Sequence, residues 1–285
     1  MVFLNGEFVP EEQAVVSVFD RCFQYGDGLF ETLRIYNRQP FRWEHHLERL
    51  ERGAEFLAIR VPFTAEELRQ VVDRLIESNQ MSSAILRLTL SRGVGMRGYS
   101  PTGAGKPLLV MSLHPGPGAE PAHPPRWRLK VATFRLPANE PLARFKTCNK
   151  LPQVMARAEA ETAKAQEALL LNTDGEVVEA ASSNLFWVKD GTICTPPCSS
   201  GILPGVTRAV VFEICEGFGV PCVEGNLTVK ELMRVDGLFL SLSSAGIAEA
   251  VSIDDKPLRQ SPLTERLWAG YNRLVREETG GDQVD

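Results

Sequence analysis

Arg144-Phe145-Lys146-Thr147-Cys148-Asn149-Lys150-Leu151-Pro152 is the stretch on which the reading of this chain turns. A lysine in a partly desolvated pocket loses some of its preference for the charged form, and its amine can then attack a carbonyl carbon to form a Schiff base. A lone lysine on a loop is ordinarily a solvated surface group. Three later stretches change the meaning of Lys146: Glu179 in VVEAASSNLFW (177–187), the turn GILPGVTR (201–208), and the pair Ser243-Ser244.

The 285 residues suffice for one large domain or two ordinary ones, with 44% hydrophobic and 24% charged residues, as in soluble globular proteins. A formal net charge of −5 argues against a broad nucleic-acid or anionic-membrane surface. The N-terminus MVFLNGEFVP lacks the basic region and apolar core of a secretory signal, and no apolar run approaches the roughly 20 residues of a membrane helix. Six scattered cysteines suggest neither a disulfide framework nor, with His45, His46, His114 and His123, a zinc spacing. The expectation is a cytoplasmic protein with reduced thiols and no metal.

Residues 3–9 read as a hairpin with an Asn5-Gly6 turn, and 15–19 as a second short strand. The run YGDGLFETLRIY (25–36) alternates in its second half as a strand does. Trp43 to Ala58 is helical, with Leu47, Leu50, Ala54 and Leu57 on one face and Arg49 beside it. A second helix spans 65–79, with Thr64 and Glu67 forming a capping box. Between strands at 83–91 and 108–113 lies RGVGMRGYS (92–100), a glycine-rich loop whose functional reading is a mobile lip offering guanidinium groups to a carboxylate.

His114 to Pro125 holds five prolines and two glycines in twelve residues, so no regular element fits. The expected division is a small domain over 1–115, a linker at 116–125 and a larger domain over 126–285. That larger domain reads as a strand at 128–134, an alanine-rich helix at 153–164, hairpins at 168–178 and 184–195, a helix from the 201–207 turn to about 217, strands near 220–223 and 238–242, a polar break at 243–246, a closing helix at 263–277 and a polar tail. Gly205 and Thr207 sit where backbone N–H groups gather at a helix start, a ready anion site.

Taken together, YGDGLFETLRIY, HLERL, RG-x-G-x-RGYS, FK-x-x-N-x-L, E-x-x-SSNLFW, G-x-L-x-GVTR and the late serine pair resemble the fold-type IV pyridoxal-phosphate enzymes, the class IV aminotransferases. That family includes branched-chain and D-amino-acid aminotransferases and 4-amino-4-deoxychorismate lyase. The likeness spans Asn5 to Asp254 and implies a two-domain α/β fold of the D-amino-acid aminotransferase kind: a small N-terminal α/β domain and a larger C-terminal pseudo-barrel. It also implies pyridoxal 5′-phosphate as cofactor, an amino or oxo acid as substrate, and a homodimer. By the family pattern Lys146 is the Schiff-base lysine and proton shuttle. Lys150 is the rival, but the family's lysine stands three residues before the asparagine, here Asn149. Glu179 faces the pyridine nitrogen, and Arg49, Gly205, Val206, Thr207 and Ser243 take the cofactor phosphate. Leu203 packs on the ring, and Ser183 and Asn184 shape the far wall. Tyr25, Arg34, Arg97, Tyr99, Ser244 and Ala245 line the substrate side.

The first steps of transamination and of elimination are shared, so these residues do not separate the two reactions. Lys146-x-x-Asn149 is similar to the D-amino-acid aminotransferase and lyase branches and unlike the branched-chain pattern, which puts Gly-Asn-Tyr after the lysine. The run after Ser243-Ser244 reads Ala-Gly-Ile-Ala-Glu-Ala where transaminases carry Glu-x-Thr-Pro, which leans toward the lyase or toward a divergent transaminase. Transamination of a small amino acid stands first, 4-amino-4-deoxychorismate lyase second, and a non-catalytic scaffold of the same fold third.

Overall fold

The computed structural model describes residues 1–118 and 121–280, which fall into two compact units. The first comprises Met1–Gly118, Phe145–Asn149 and residues 276–280; the second comprises residues 121–144 and Lys150–Val275. Phe145–Asn149, which the sequence reading assigns to the second domain, packs with the first unit. Part of the expected linker (119–120) and of the polar tail (281–285) lies outside the described residues.

The first unit is a six-stranded antiparallel sheet backed by helices. Its elements are β1 (Val2–Leu4), β2 (Glu7–Val9), α1 (Arg21–Tyr25), β3 (Gly28–Tyr36), β4 (Gln39–Pro40), α2 (Trp43–Phe56), α3 (Ala65–Asn79), β5 (Ala84–Ser91) and β6 (Leu108–Pro115), with strand order β2-β1-β6-β5-β3-β4. Strand alternation puts Ala84, Leu86, Leu88 and Leu90 of β5 on one face. There they meet Trp43, Leu47, Leu50 and Ala54 of α2 and Leu68, Val72 and Leu75 of α3 in one core. Thr64 caps α3 in a reciprocal box with Glu67.

Residues 15–19 form no strand. Among the described residues no strand runs alongside to pair with them, and they lead into Asp20, whose carboxylate accepts from Cys22 N and Phe23 N and so starts α1. Val15, Val18, Phe19 and Phe23 are left exposed.

The second unit comprises β7 (Arg126–Leu136), α4 (Leu151–Thr162), β8 (Glu167–Asn172), β9 (Val177–Ala180), β10 (Asn184–Lys189), β11 (Thr192–Thr195), α5 (Val206–Gly217), β12 (Cys222–Glu224), α6 (Val229–Leu232), β13 (Gly237–Leu242), β14 (Gly246–Ile253), β15 (Lys256–Pro257) and, up to Val275, α7 (Pro262–Thr279). The sheet runs β12-β11-β10-β13-β14-β7-β8-β9, with parallel pairs at β11/β12, β14/β7 and β7/β8. Ala180 N donates to Ser183 O at 2.8 Å and β9 comes back beside β10, so six strands form a pseudo-barrel. Phe186 and Phe239 stack at 5.1 Å in its wall.

The sequence reading ends the sheet at the Ser243–Gly246 break; this break is the turn of a β13/β14 hairpin. Gly246 has φ +68°, and a Cβ there would stand 2.5 Å from the Tyr271 ring, so the position requires glycine. Among the described residues no helix is long and apolar enough to cross a membrane, and no group of His, Cys, Asp or Glu is placed to hold a metal ion.

Candidate functional site

In the first unit, segment 145–148 runs along the edge of β3. Phe30 N donates to Lys146 O at 2.9 Å, Cys148 N donates to Gly28 O at 2.9 Å, and Leu29 pairs with Thr147. Lys146 Nζ lies 4.6 Å from the Phe30 ring centroid, and Phe145 stacks on Phe56 at 4.2 Å. Asn149 Nδ2 donates to Gly26 O at 3.2 Å. Gly26 has φ +68°, and a Cβ there would stand 2.4 Å from Asn149 Oδ1. The asparagine three residues after the lysine therefore anchors the lysine segment to the turn before β3, which gives the K-x-x-N spacing a physical reason. Cys148 also hydrogen-bonds the Cys22 thiol; that bond, followed by burial, pushes the Cys22 pKa up.

Arg49 is buried on α2. Its Nε donates to Glu31 Oε1 at 2.8 Å and its Nη2 to Glu31 Oε2 at 2.7 Å. His46, one helical turn earlier, meets Glu31 Oε2 through Nδ1 at 2.7 Å. Burial works to raise the Glu31 pKa, but the Arg49 charge and the hydrogen bonds outweigh it and bring the carboxyl to about 2. Burial holds His46 below its ordinary value; Glu31 opposes this, while Arg49 and Lys146 add to it. Sequence reasoning missed Phe30, Glu31 and His46. The available signal was the i, i+3 spacing of His46 and Arg49, which puts both on one helix face.

Tyr25 and Tyr99 come together edge to face at 5.6 Å, and Gly98 N donates to Tyr25 Oη at 3.1 Å. Arg97 is exposed beside them. The loop that the sequence presents as a mobile lip is hydrogen-bonded to α1 near its tip. Arg34 is not in this group: it sits six residues along β3 from Gly28, roughly 20 Å at strand rise. Its Nη2 donates to Ser83 Oγ and Pro117 O, both at 2.9 Å.

In the second unit, Glu179 lies on β9, and its Oε2 accepts from Leu203 N at 3.1 Å. The carbonyl of Leu203 accepts from Asn184 Nδ2 at 2.8 Å. The backbone of Leu203 is thus a strap that fixes both side chains. Gly205 is the N-cap of α5, with no side-chain cap there. A Cβ on Gly205 would stand 2.1 Å from Asn184 Oδ1, so glycine is needed for this close approach. Val206 and Thr207 open the helix, and Thr207 Oγ1 lies 3.5 Å from Ser243 Oγ. Ser183 Oγ is buried without a hydrogen-bond partner among the described residues. Ser244 and Ala245 occupy the β13/β14 turn beside Ser243. A helix start with an uncapped N-terminus and two neighbouring hydroxyls is a donor set that suits a phosphate monoester.

The amino-transferase class IV family model matches residues 28–253. A putative branched-chain-amino-acid aminotransferase of Methanocaldococcus jannaschii is 37% identical over 264 residues, 93% of this chain and 91% of that protein. A D-alanine aminotransferase of Staphylococcus aureus is 31% identical over 98% of this chain and 99% of its own length. Among solved structures, the branched-chain amino acid aminotransferase of Escherichia coli superposes with a TM-score of 0.90 at 29% identity, covering 100% of this chain and 96% of that one. Another branched-chain amino acid aminotransferase, solved with pyridoxamine 5′-phosphate, gives the same TM-score of 0.90. The 4-amino-4-deoxychorismate lyase of Pseudomonas aeruginosa gives 0.82 at 34% identity, covering 98% and 99%. The chain belongs to the class IV aminotransferase family, enzymes that work with pyridoxal 5′-phosphate.

Proposed function

We propose that the protein moves an amino group between a small amino acid and a 2-oxo acid, with Lys146 as the amine that would hold the cofactor aldehyde and that, once displaced by the substrate amine, would carry the substrate Cα proton. The observation that supports the reading most is the phosphate-type donor set at the start of α5, built from Gly205, Val206, Thr207 and Ser243. When bound, pyridoxal 5′-phosphate supplies an electron sink for charge left at the substrate Cα. Glu179, oriented by the Leu203 amide, would accept the pyridine N–H and keep that nitrogen protonated. Arg49, backed by Glu31, adds a fixed positive charge for the phosphate. Arg97, Tyr25 and Tyr99 take the substrate carboxylate side.

The lyase reading is kept as second because the Pseudomonas aeruginosa lyase is 34% identical over nearly all of this chain and Ala245 to Ala250 lacks the transaminase run. The test is a paired assay of the purified protein. Exchange between an amino-acid panel and 2-oxoglutarate supports the aminotransferase. 4-Aminobenzoate plus pyruvate from aminodeoxychorismate, with no oxo-acid exchange, overturns it.

We further propose a homodimer working in the cytoplasm. Phe19 (62% exposed), Phe23 (69%) and Met96 (76%), with Val15 and Val18 near the first two in sequence, are large apolar side chains left in solvent, of the kind a subunit contact covers. Sedimentation at micromolar concentration should give twice the chain mass, and the double variant Phe19→Asp, Phe23→Asp should sediment as a monomer. A wild-type monomer would refute the dimer.

A further inference from the structure

Arg21 is nearly fully buried, at 3% exposure, yet two arms of its guanidinium reach the surface loop. Nη1 donates to Gly98 O at 3.0 Å and Nη2 to Tyr99 O at 3.1 Å, while Nε donates to Asp27 Oδ2 at 2.7 Å. Tyr25 Oη accepts from Gly98 N, so the peptide groups around Gly98 are held at three points from α1. Asp27 also accepts from Arg92 Nε at 2.8 Å, and Arg92, at the root of the same loop, donates to Leu57 O and Ala58 O. Gly95 makes room: a Cβ there would stand 2.7 Å from Arg21 Cδ. Asp20 sets the origin of the arrangement by capping α1 and accepting from Ser91 Oγ at 2.7 Å. Only Nε of this guanidinium goes to the Asp27 carboxylate; Nη1 and Nη2 each donate to a carbonyl of the exposed loop.

We propose that Arg21 is a positioning residue for substrate binding. Its planar fork clamps the Gly98–Tyr99 backbone and so fixes the direction in which the neighbouring Arg97 and Tyr99 side chains project. The inference rests on the reading of Arg97 and Tyr99 as substrate-side groups. A lysine at position 21 keeps the charge beside Asp27 but lacks the fork that spans two carbonyls. An unclamped loop must be ordered anew at each binding event, a cost that falls on substrate affinity and leaves chemistry at Lys146 alone.

The experiment uses the full-length protein with cofactor and the variants Arg21→Lys, Arg21→Ala and Arg97→Ala, after matched thermal melts confirm folding. Hydrogen exchange over residues 92–107 reads the clamp directly, and steady-state kinetics reads its consequence. In Arg21→Lys the Gly98 amide, which donates to Tyr25 Oη, should exchange roughly tenfold faster or more as the loop loosens, and KM for the amino-acid substrate should rise roughly tenfold, with kcat and cofactor affinity held within about twofold. Arg21→Ala should move both readouts further in the same direction. Unchanged exchange in both Arg21 variants overturns the clamp. Faster exchange with an unchanged KM overturns its role in substrate positioning. An unaltered KM in Arg97→Ala instead sinks the substrate-side reading on which the inference stands, and the two failures are thereby told apart.

Discussion

Arg49 grips Glu31 end to end, with Nε on Oε1 at 2.8 Å and Nη2 on Oε2 at 2.7 Å, and both side chains are buried. A buried guanidinium with no counter-charge would be strongly disfavoured in the apo protein. Glu31 supplies that counter-charge and fixes the guanidinium in one orientation, and His46 holds the carboxylate from its other side.

This triad makes stability depend on pH in two steps. Glu31 ordinarily titrates near 4.5 and is held to about 2 in the fold, so its contribution is full above 4.5 and is lost as pH falls from 4.5 toward 2. His46 ordinarily titrates near 6.5 and is held lower in the fold. The unfolded chain therefore takes up a proton that the folded chain refuses, and stability starts to fall below pH 6.5. Urea midpoints measured from about pH 8 to 3 should show both declines. His46→Gln, which keeps an N–H donor for Glu31, should remove the upper decline and leave the lower.

Glu31→Gln leaves Arg49 buried without its anion and should cost about 3–5 kcal/mol of stability. Arg49→Ala should release the cofactor more readily, with affinity reduced ~100-fold on the scale of a lost charge-assisted pair. Fluorescence titration of the apo variants with pyridoxal 5′-phosphate checks this, and unchanged affinity in Arg49→Ala would remove that residue from the phosphate site.

Glu179→Gln keeps an acceptor oxygen for Leu203 N, so the strap through Leu203 should survive and cofactor should be retained. On the proposed role of Glu179, the variant loses the charge that would keep the pyridine nitrogen protonated, and Cα proton loss should slow ~100-fold or more. Stopped-flow half-reactions with a single amino acid separate this from a binding defect.

Gly205→Ala places a methyl group 2.1 Å from Asn184 Oδ1. Asn184 must then move, which disturbs its bond to Leu203 O and through it the amide on Glu179. The variant should lose roughly 1–3 kcal/mol of stability by overpacking and bind cofactor weakly. Calorimetry with and without pyridoxal 5′-phosphate would show a smaller ligand-induced rise in Tm than in wild type.

Much of this was legible from residues alone. The helix at 65–79 announced itself through Thr64 and Glu67, and α2 through the spacing of Leu47, Leu50 and Ala54, because those are local rules. The start of α5 was legible from Pro204-Gly205 followed by Thr207. Strand β14 was not: Gly246-Ile247-Ala248-Glu249-Ala250 carries small residues of low strand propensity, and pairing with β13 and β7 decides it. Residues 15–19 failed the other way, since their valines suit a strand but no described strand lies beside them. Phe30 and Glu31 escaped because their meaning comes from β3 and α2 packing, which no short window contains; for His46 the i, i+3 spacing places it on the helix face of Arg49 but does not show the carboxylate that both meet. Arg21 escaped too, since its partners at Gly98 and Tyr99 are 77 and 78 residues away.

The most direct test of the central claim is to load the protein with pyridoxal 5′-phosphate, reduce it with borohydride, and map the modified peptide by mass spectrometry. The expected result is a phosphopyridoxyl mass on Lys146 and on no other lysine, lost in Lys146→Ala. The label on Lys150 instead, or no covalent label at all, would contradict the assignment of Lys146.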